Sequence, residues 1–124
     1  VPGPGSKKLK IRIPSGPPSK ELVVRDLRKG TGPAVEGLKD EIIVNYVGID
    51  YATGKAFYDS WDQGGPSKFL LEETHKGWEV GLKGMRAGGL RELITPPRFE
   101  YGTTTFIYVI EMAKVRQAGQ TRFD

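Results

Sequence analysis

Covalent catalysis has little to work with in this sequence, which contains one histidine, His75, and no cysteine. A serine or threonine nucleophile needs a base held by a third group. The one imidazole stands in the charged run Glu72-Glu73-Thr74-His75-Lys76, which reads as a surface loop. Without thiolates or a second imidazole, zinc and iron–sulfur sites lack ligands, and no metal or cofactor is expected. Two carboxylate pairs, Asp59/Asp62 and Glu72/Glu73, read as solvated, because their spacing alone supplies nothing to raise a pKa. Gly77, Gly81 and Gly84 do not make a phosphate loop, since no strand feeds them and no Lys-Ser/Thr follows. They read as small residues that let a helix lie close to a sheet. What remains is aromatic: Tyr46, Phe57, Trp78, Phe99, Tyr101, Phe106 and Tyr108. Each is a candidate for the core, and together they are candidates for an aromatic-walled pocket open at one end. Spacing does not choose between the two.

The elements that must carry these rings are mostly strands. The chain has 124 residues, room for one compact domain, and its 17 glycines and 9 prolines punctuate it too often for a helical bundle. Leu22 to Leu27 reads as a strand closed by the turn Lys29-Gly30-Thr31-Gly32-Pro33. Ile42 to Asp50 is the strongest strand, with Ile42, Val44 and Tyr46 on one face and Ile43, Asn45 and Val47 on the other. Thr53-Gly54 turns the chain into Lys55 to Asp59, and a short strand follows at Lys68 to Leu71. Trp78, Leu82 and Met85 fall at i, i+4 and i+7, which predicts one short helix over Gly77 to Met85. Leu90 to Thr95 and Thr105 to Val115 complete five to six strands around that helix.

The positive charge is unevenly placed. Lys7, Lys8, Lys10, Arg12 and Lys20 account for the net +4, while the remainder is close to neutral. Residues 1–20, broken by two Pro/Gly-rich stretches, read as a basic tail or linker, 21–116 as the domain, and 117–124 as a C-terminal tail. A nucleic-acid reader carries its positive face on the domain, so no nucleic acid is expected as a partner. No apolar run is long enough to span a bilayer.

The order of motifs is more specific than their spacing. Val44-Asn45-Tyr46-Val47-Gly48, Gly54-Lys55-Ala56-Phe57, Ser60-Trp61-Asp62, Gly77-Trp78-Glu79-Val80-Gly81-Leu82-Lys83-Gly84-Met85, the stretch Gly88 to Pro97 and Tyr101-Gly102 closely resemble the FKBP-type peptidyl-prolyl isomerases. The resemblance runs from about Leu22 to Val115 and implies an α+β, mostly β fold: a twisted antiparallel sheet curled around one short helix. It also implies a pocket with Tyr46 and Phe57 as walls, Trp78 as floor, and Tyr101 and Tyr108 closing the sides. Candidate catalytic residues are therefore Tyr46, Phe57, Asp59, Trp78, Tyr101 and Tyr108. Candidate substrate contacts are Tyr46, Phe57, Tyr58, His75, Trp78, Tyr101, Phe106 and Tyr108. The sequence departs from the family pattern at several places. Tyr58 stands where the family has Asp, and Asp59, one place later, should face the other way because strand side chains alternate. Tyr108 replaces a Phe, Gln63 an Arg and Ser67 an aromatic. The Val-Ile pair before the Gly-Trp helix and the proline-rich flap after Tyr-Gly are missing.

The function so implied is isomerisation of X-Pro bonds in peptides and folding proteins, by desolvation and hydrogen bonding with no covalent intermediate. A catalytically weak proline-binding or chaperone-like module is the alternative, and a polyanion-tethered protein, resting on the tail, is a third reading. The expected state is a monomer, and the basic Pro-rich lead resembles the spacer of exported bacterial family members, which points outside the cytoplasm. Deleting residues 1–18 should leave the melting temperature nearly unchanged. A large drop in a thermal scan would show Leu9, Ile11 and Ile13 docked on the domain as an added strand.

Overall fold

A computed structural model describes residues 16–99, 102–121 and 123. The expectations for the first fifteen residues and for Tyr101 lie outside the described residues. Six strands run in chain order as β1 (Val23–Arg28), β2 (Glu41–Asp50), β3 (Ala56–Asp59), β4 (Ser67–Leu70), β5 (Leu90–Thr95) and β6 (Phe106–Arg116). They form one antiparallel sheet in the order β1-β5-β6-β2-β3, and β4 shares the free edge of β2 with β3. The β-branched runs of β2 and β6 pair along their whole length, from Glu41 opposite Arg116 to Asp50 opposite Phe106. One helix, α1 (Lys76–Gly81), crosses between β4 and β5. Short 3-10 turns at Leu71–Glu73 and Pro97–Phe99 lead into α1 and out of β5.

Alternation along β2 sorts the core into two layers, as the sequence predicts. Ile42 and Val44 join Trp78, Leu82 and Met85 from the helix region, Leu93 from β5, and Tyr108, Ile110, Met112 and Val115 from β6 in one cluster. Val47 and Ile49 join Leu90, Ile94, Ile107 and Val109 on the opposite side. The helix is shorter than the apolar stripe suggests. It ends at Gly81 with Leu82 as its C-cap, yet Trp78, Leu82 and Met85 are all buried because a tight turn carries the stripe onward.

Two of the three helix-region glycines act as expected. A Cβ on Gly77 would lie 2.8 Å from Thr95 Cγ2, and one on Gly81 2.8 Å from Leu93 Cδ2, so the helix backbone rests directly on β5. Gly84 is a correction: a Cβ there would meet nothing within 4 Å, and its φ of +83° marks a left-handed turn residue.

Charged groups close the ends of the sheet. Arg91, buried on β5, donates Nε to Asp26 Oδ1 at 2.7 Å and Nη1 to the carbonyls of Gly81 (2.9 Å) and Lys83 (3.3 Å). It thus joins the edge strand β1 to the C-terminal end of α1, whose carbonyls lack intrahelical partners. Asp40, also buried, accepts the backbone N–H groups of Glu36 (2.7 Å), Gly37 (3.1 Å) and Ala118 (2.9 Å). With an Arg116–Glu41 ion pair and Gln117 donating to Ala34, this ties the start of the C-terminal segment to the domain. The end of the lead also touches it, through the Tyr51 hydroxyl donating to Gly16, and an Arg98–Glu21 ion pair holds the first residue of the domain.

Arg91→Ala should cost about 2 kcal/mol in urea denaturation, since it removes charge-assisted hydrogen bonds and leaves helix carbonyls without a donor. Asp26→Asn should cost less, because Asp26 keeps access to water. Equal losses would show that the ion pair, and not the helix-end contact, is what Arg91 supplies.

Candidate active site

One row across the sheet explains where the aromatic rings meet. Leu93 on β5 pairs with Tyr108 on β6, Tyr108 with Gly48 on β2, and Gly48 with Tyr58 on β3. Directly paired residues project to the same face, so Tyr108 and Tyr58 rise on either side of a glycine. Tyr46, two residues from Gly48 along β2, shares that face. The register between β2 and β3 shifts between Gly48 and Ile49, leaving Phe57 unpaired between Tyr58 and Ala56. A bulge of this kind lets two successive side chains project to one side. Phe57 therefore lays its ring over Gly48, on the same face as Tyr58.

The helix supplies the floor. Trp78 is 3% exposed and stands nearly perpendicular to three rings: Tyr46 at 4.8 Å between centroids, Tyr108 at 5.5 Å and Phe69 at 5.8 Å. Edge-to-face contacts of this kind are favoured by the ring quadrupoles. The indole Nε1 is buried without an oxygen or nitrogen partner, and perpendicular rings are the setting in which such an N–H turns to a π face. Tyr58 stacks on Tyr46 at 4.8 Å and 28°. Phe57 meets Phe106 at 5.0 Å and Tyr108 at 6.1 Å. His75, the N-cap of α1, lies against Tyr108 at 5.3 Å and Trp78 at 5.8 Å. Exposure is graded: Trp78 and Tyr108 are sealed, Tyr46, Tyr58, His75 and Phe106 are half-buried, and Phe57 is 53% exposed. The cluster has a sealed aromatic floor and an open rim.

Of the expected site residues, the structure brings together Tyr46, Phe57, Tyr58, His75, Trp78, Phe106 and Tyr108. Asp59 faces the way strand alternation predicts, and for that reason drops out of the candidate catalytic residues. It pairs with Val47, which puts its side chain on the other face of the sheet, and its carboxylate accepts the Trp61 backbone N–H at 3.0 Å. It is also buried, so the reading of Asp59/Asp62 as a solvated pair fails for Asp59. His75 is not the surface residue its charged neighbours suggest, since the 3-10 turn at Leu71–Glu73 directs the chain inward and His75 caps the helix against two rings.

Three contributors are missing from the sequence reading. Phe69 on β4 completes the ring around Trp78. Gly48 makes room for Phe57. Ser60, fully buried, clamps the Tyr46 backbone from both sides: its Oγ accepts the Tyr46 N–H at 2.7 Å, and its own N–H donates to the Tyr46 carbonyl at 2.9 Å. Ser60 Oγ then donates to Asn45 Oδ1, Asn45 donates to Glu111, and Arg28 donates to the other Glu111 oxygen. The only sequence trace of this clamp is the position of Ser60 in Ser60-Trp61-Asp62.

The site's electrostatics are those of neutral groups. Burial, followed by repulsion from the neighbouring Tyr58, raises the Tyr46 phenol above its ordinary value, so Tyr46 remains a hydroxyl donor at neutral pH. Burial lowers the His75 pKa, and a hydrogen bond with the Phe99 backbone only partly opposes it, so the imidazole favours its neutral form. Lys76 Nζ and the Arg98 guanidinium stand 5.8 and 4.8 Å from the Phe99 ring centroid, so two cations share that ring. Among the described residues, no group of three or more His, Asp or Glu side chains is placed to hold a metal ion.

Comparison with known proteins fits this arrangement. Residues 33–115 match the family model for FKBP-type peptidyl-prolyl cis-trans isomerase. The chain is 41% identical over 96 residues to the probable FK506-binding protein of Corynebacterium glutamicum, covering 77% of this chain and 80% of that protein. It is 37% identical over 98 residues to the FK506-binding protein of Streptomyces anulatus, covering 77% and 78%. Among solved structures, FkpA from Escherichia coli superimposes with a TM-score of 0.73 at 31% identity, covering 78% of this chain and 49% of that one.

The lowered His75 pKa makes a signed prediction. A base whose native pKa lies below its unfolded value binds more protons when unfolded, so stability rises with pH across that window. The parent protein should lose melting temperature as pH falls below about 6.5 toward the depressed native value. His75→Phe should lack that part of the loss. Parallel melting-temperature profiles for parent and variant would show that His75 does not titrate against burial.

Proposed function

Because the chain belongs to the FKBP-type peptidyl-prolyl cis-trans isomerase family, we propose that the aromatic cluster around Trp78 is where it holds the prolyl ring of its substrate. The observation that carries this reading is the graded burial of one continuous ring cluster: a sealed indole floor, perpendicular tyrosines beside it, and an open rim of Phe57 and Tyr58.

Rotation about an X-Pro bond is opposed by amide resonance, a barrier of roughly 18–20 kcal/mol. The planar amide is more polar than the twisted state, so a sealed aromatic floor disfavours the ground state relative to the transition state. No proton needs to move and no covalent bond forms. The Tyr46 hydroxyl, protonated at neutral pH, supplies a donor for a carbonyl displaced by the twist. His75, favoured in its neutral form, keeps the wall against Tyr108 uncharged. Asp59 takes no part, being on the other face. Each tenfold acceleration corresponds to about 1.4 kcal/mol of preference for the twisted state.

The substrates are proline-containing peptides and proteins, with folding chains as the physiological class. The basic, proline-rich lead supports an extracytoplasmic site of action, which fractionation of the producing cells tests.

Parent protein should accelerate a refolding reaction limited by proline isomerisation. Trp78→Leu, compared at a temperature where circular dichroism shows both proteins folded, should be at least about tenfold slower, a loss of about 1.4 kcal/mol. Full activity in Trp78→Leu would remove the indole floor from the mechanism. Saturable peptide binding by the parent with no rate enhancement would instead identify a proline-binding module.

A further inference from the structure

We propose that Gly48 is a positioning residue for the site: the missing side chain at this point of β2 is the seat of the Phe57 ring. The inference rests on the reading of the aromatic cluster as the proline site. Gly48 lies in the interior of β2, buried and paired on both sides, with Tyr108 on one neighbour and Tyr58 on the other. Its φ is not among the positive values found at other glycines, so the backbone does not demand a glycine here. A glycine in a strand interior weakens the strand and often marks a close approach by another group. The approaching group is Phe57. A Cβ at position 48 would stand 2.4 Å from Phe57 Cζ, 2.8 Å from Cε2 and 2.9 Å from Cε1.

Those are the far atoms of a half-exposed side chain on a bulged residue, so Phe57 can swing outward while the β2–β3 ladder stays paired. An alanine at 48 should therefore displace the ring and not the sheet. The displaced ring would leave its edge contacts with Phe106 at 5.0 Å and Tyr108 at 6.1 Å, and the outer wall would open. Gly48 thus acts on the substrate through Phe57, without touching it.

The test compares the parent with Gly48→Ala, Phe57→Ala and the double variant, using the tetrapeptide Ala-Leu-Pro-Phe. Binding is followed by NMR titration, turnover by isomerisation kinetics, and the fold by thermal melting. Each single variant should weaken peptide binding about tenfold, or about 1.4 kcal/mol. The loss should fall mainly on KM, and the double variant should be no weaker than Phe57→Ala. Gly48→Ala, like Phe57→Ala, should also move the resonances of Tyr108, because each takes the Phe57 ring away from it. Parental affinity in Gly48→Ala alongside a loss in Phe57→Ala would overturn the role of Gly48 and leave the site reading standing. Additive losses in the double variant, or a loss that tracks a fall in melting temperature, would overturn it as well. Parental affinity in Phe57→Ala would fail at the level below, removing Phe57 from the proline site and this inference with it.

Discussion

Everything distinctive about the site depends on how near α1 comes to the sheet. Gly77 and Gly81 face β5 with no side chain, and the helix backbone settles onto Thr95 and Leu93. A bulkier residue at either position would lift the helix, and Trp78 with it. Held at this height, the indole reaches Tyr46, Phe69 and Tyr108 at centroid distances of 4.8–5.8 Å. The same approach places the helix's terminal carbonyls within reach of Arg91, whose guanidinium bonds Gly81 and Lys83 while pairing with Asp26. Edge strand, helix end and pocket floor are thereby fixed relative to one another.

A second constraint comes from the β2–β3 edge. Strict alternation would send Phe57 and Tyr58 to opposite faces, and the site would lose one of them. The bulge keeps both, and Gly48 provides the space. Ser60 holds the neighbouring Tyr46 through two hydrogen bonds to its backbone, at the end of a polar chain running through Asn45 and Glu111 to Arg28. The aromatic face is thus positioned in part by a polar network that carries no substrate chemistry of its own.

This division explains what could be read from residue types alone. The alternation of β2, the stripe of Trp78, Leu82 and Met85, and the small residues of the helix all report local periodicity or size, and each led to the right element. The ordered motifs then pointed to the rings. What stayed hidden was non-local. The charge-rich flank of His75 resembles a surface loop, and nothing nearby shows that the turn at Leu71–Glu73 directs it against Tyr108. Asp59, by contrast, takes the face that strand alternation predicts, and its pairing with Val47 agrees. The unpaired position of Phe57 depends on the same register, and a glycine within a strand gives no sign of which ring it accommodates. Helix length was overread because a buried apolar stripe continues beyond Gly81 in a turn.

The character of the site follows from its lack of a charged acid or base. Asp59, next to Tyr58 in sequence, is turned to the other face, and two titratable groups within the cluster, Tyr46 and His75, are biased toward neutrality by burial. A reaction requiring proton transfer would need a group that gives or takes a proton in the transition state. Isomerisation requires no such group; it requires a surface that solvates the planar amide less well than water does. The floor meets that requirement best, where Trp78 and Tyr108 are sealed, and the rim least, where Phe57 is half in water. Burial across the cluster thus falls from a sealed floor to a half-exposed rim, and the desolvation this face can impose is set by how completely Trp78 and Tyr108 are kept from water.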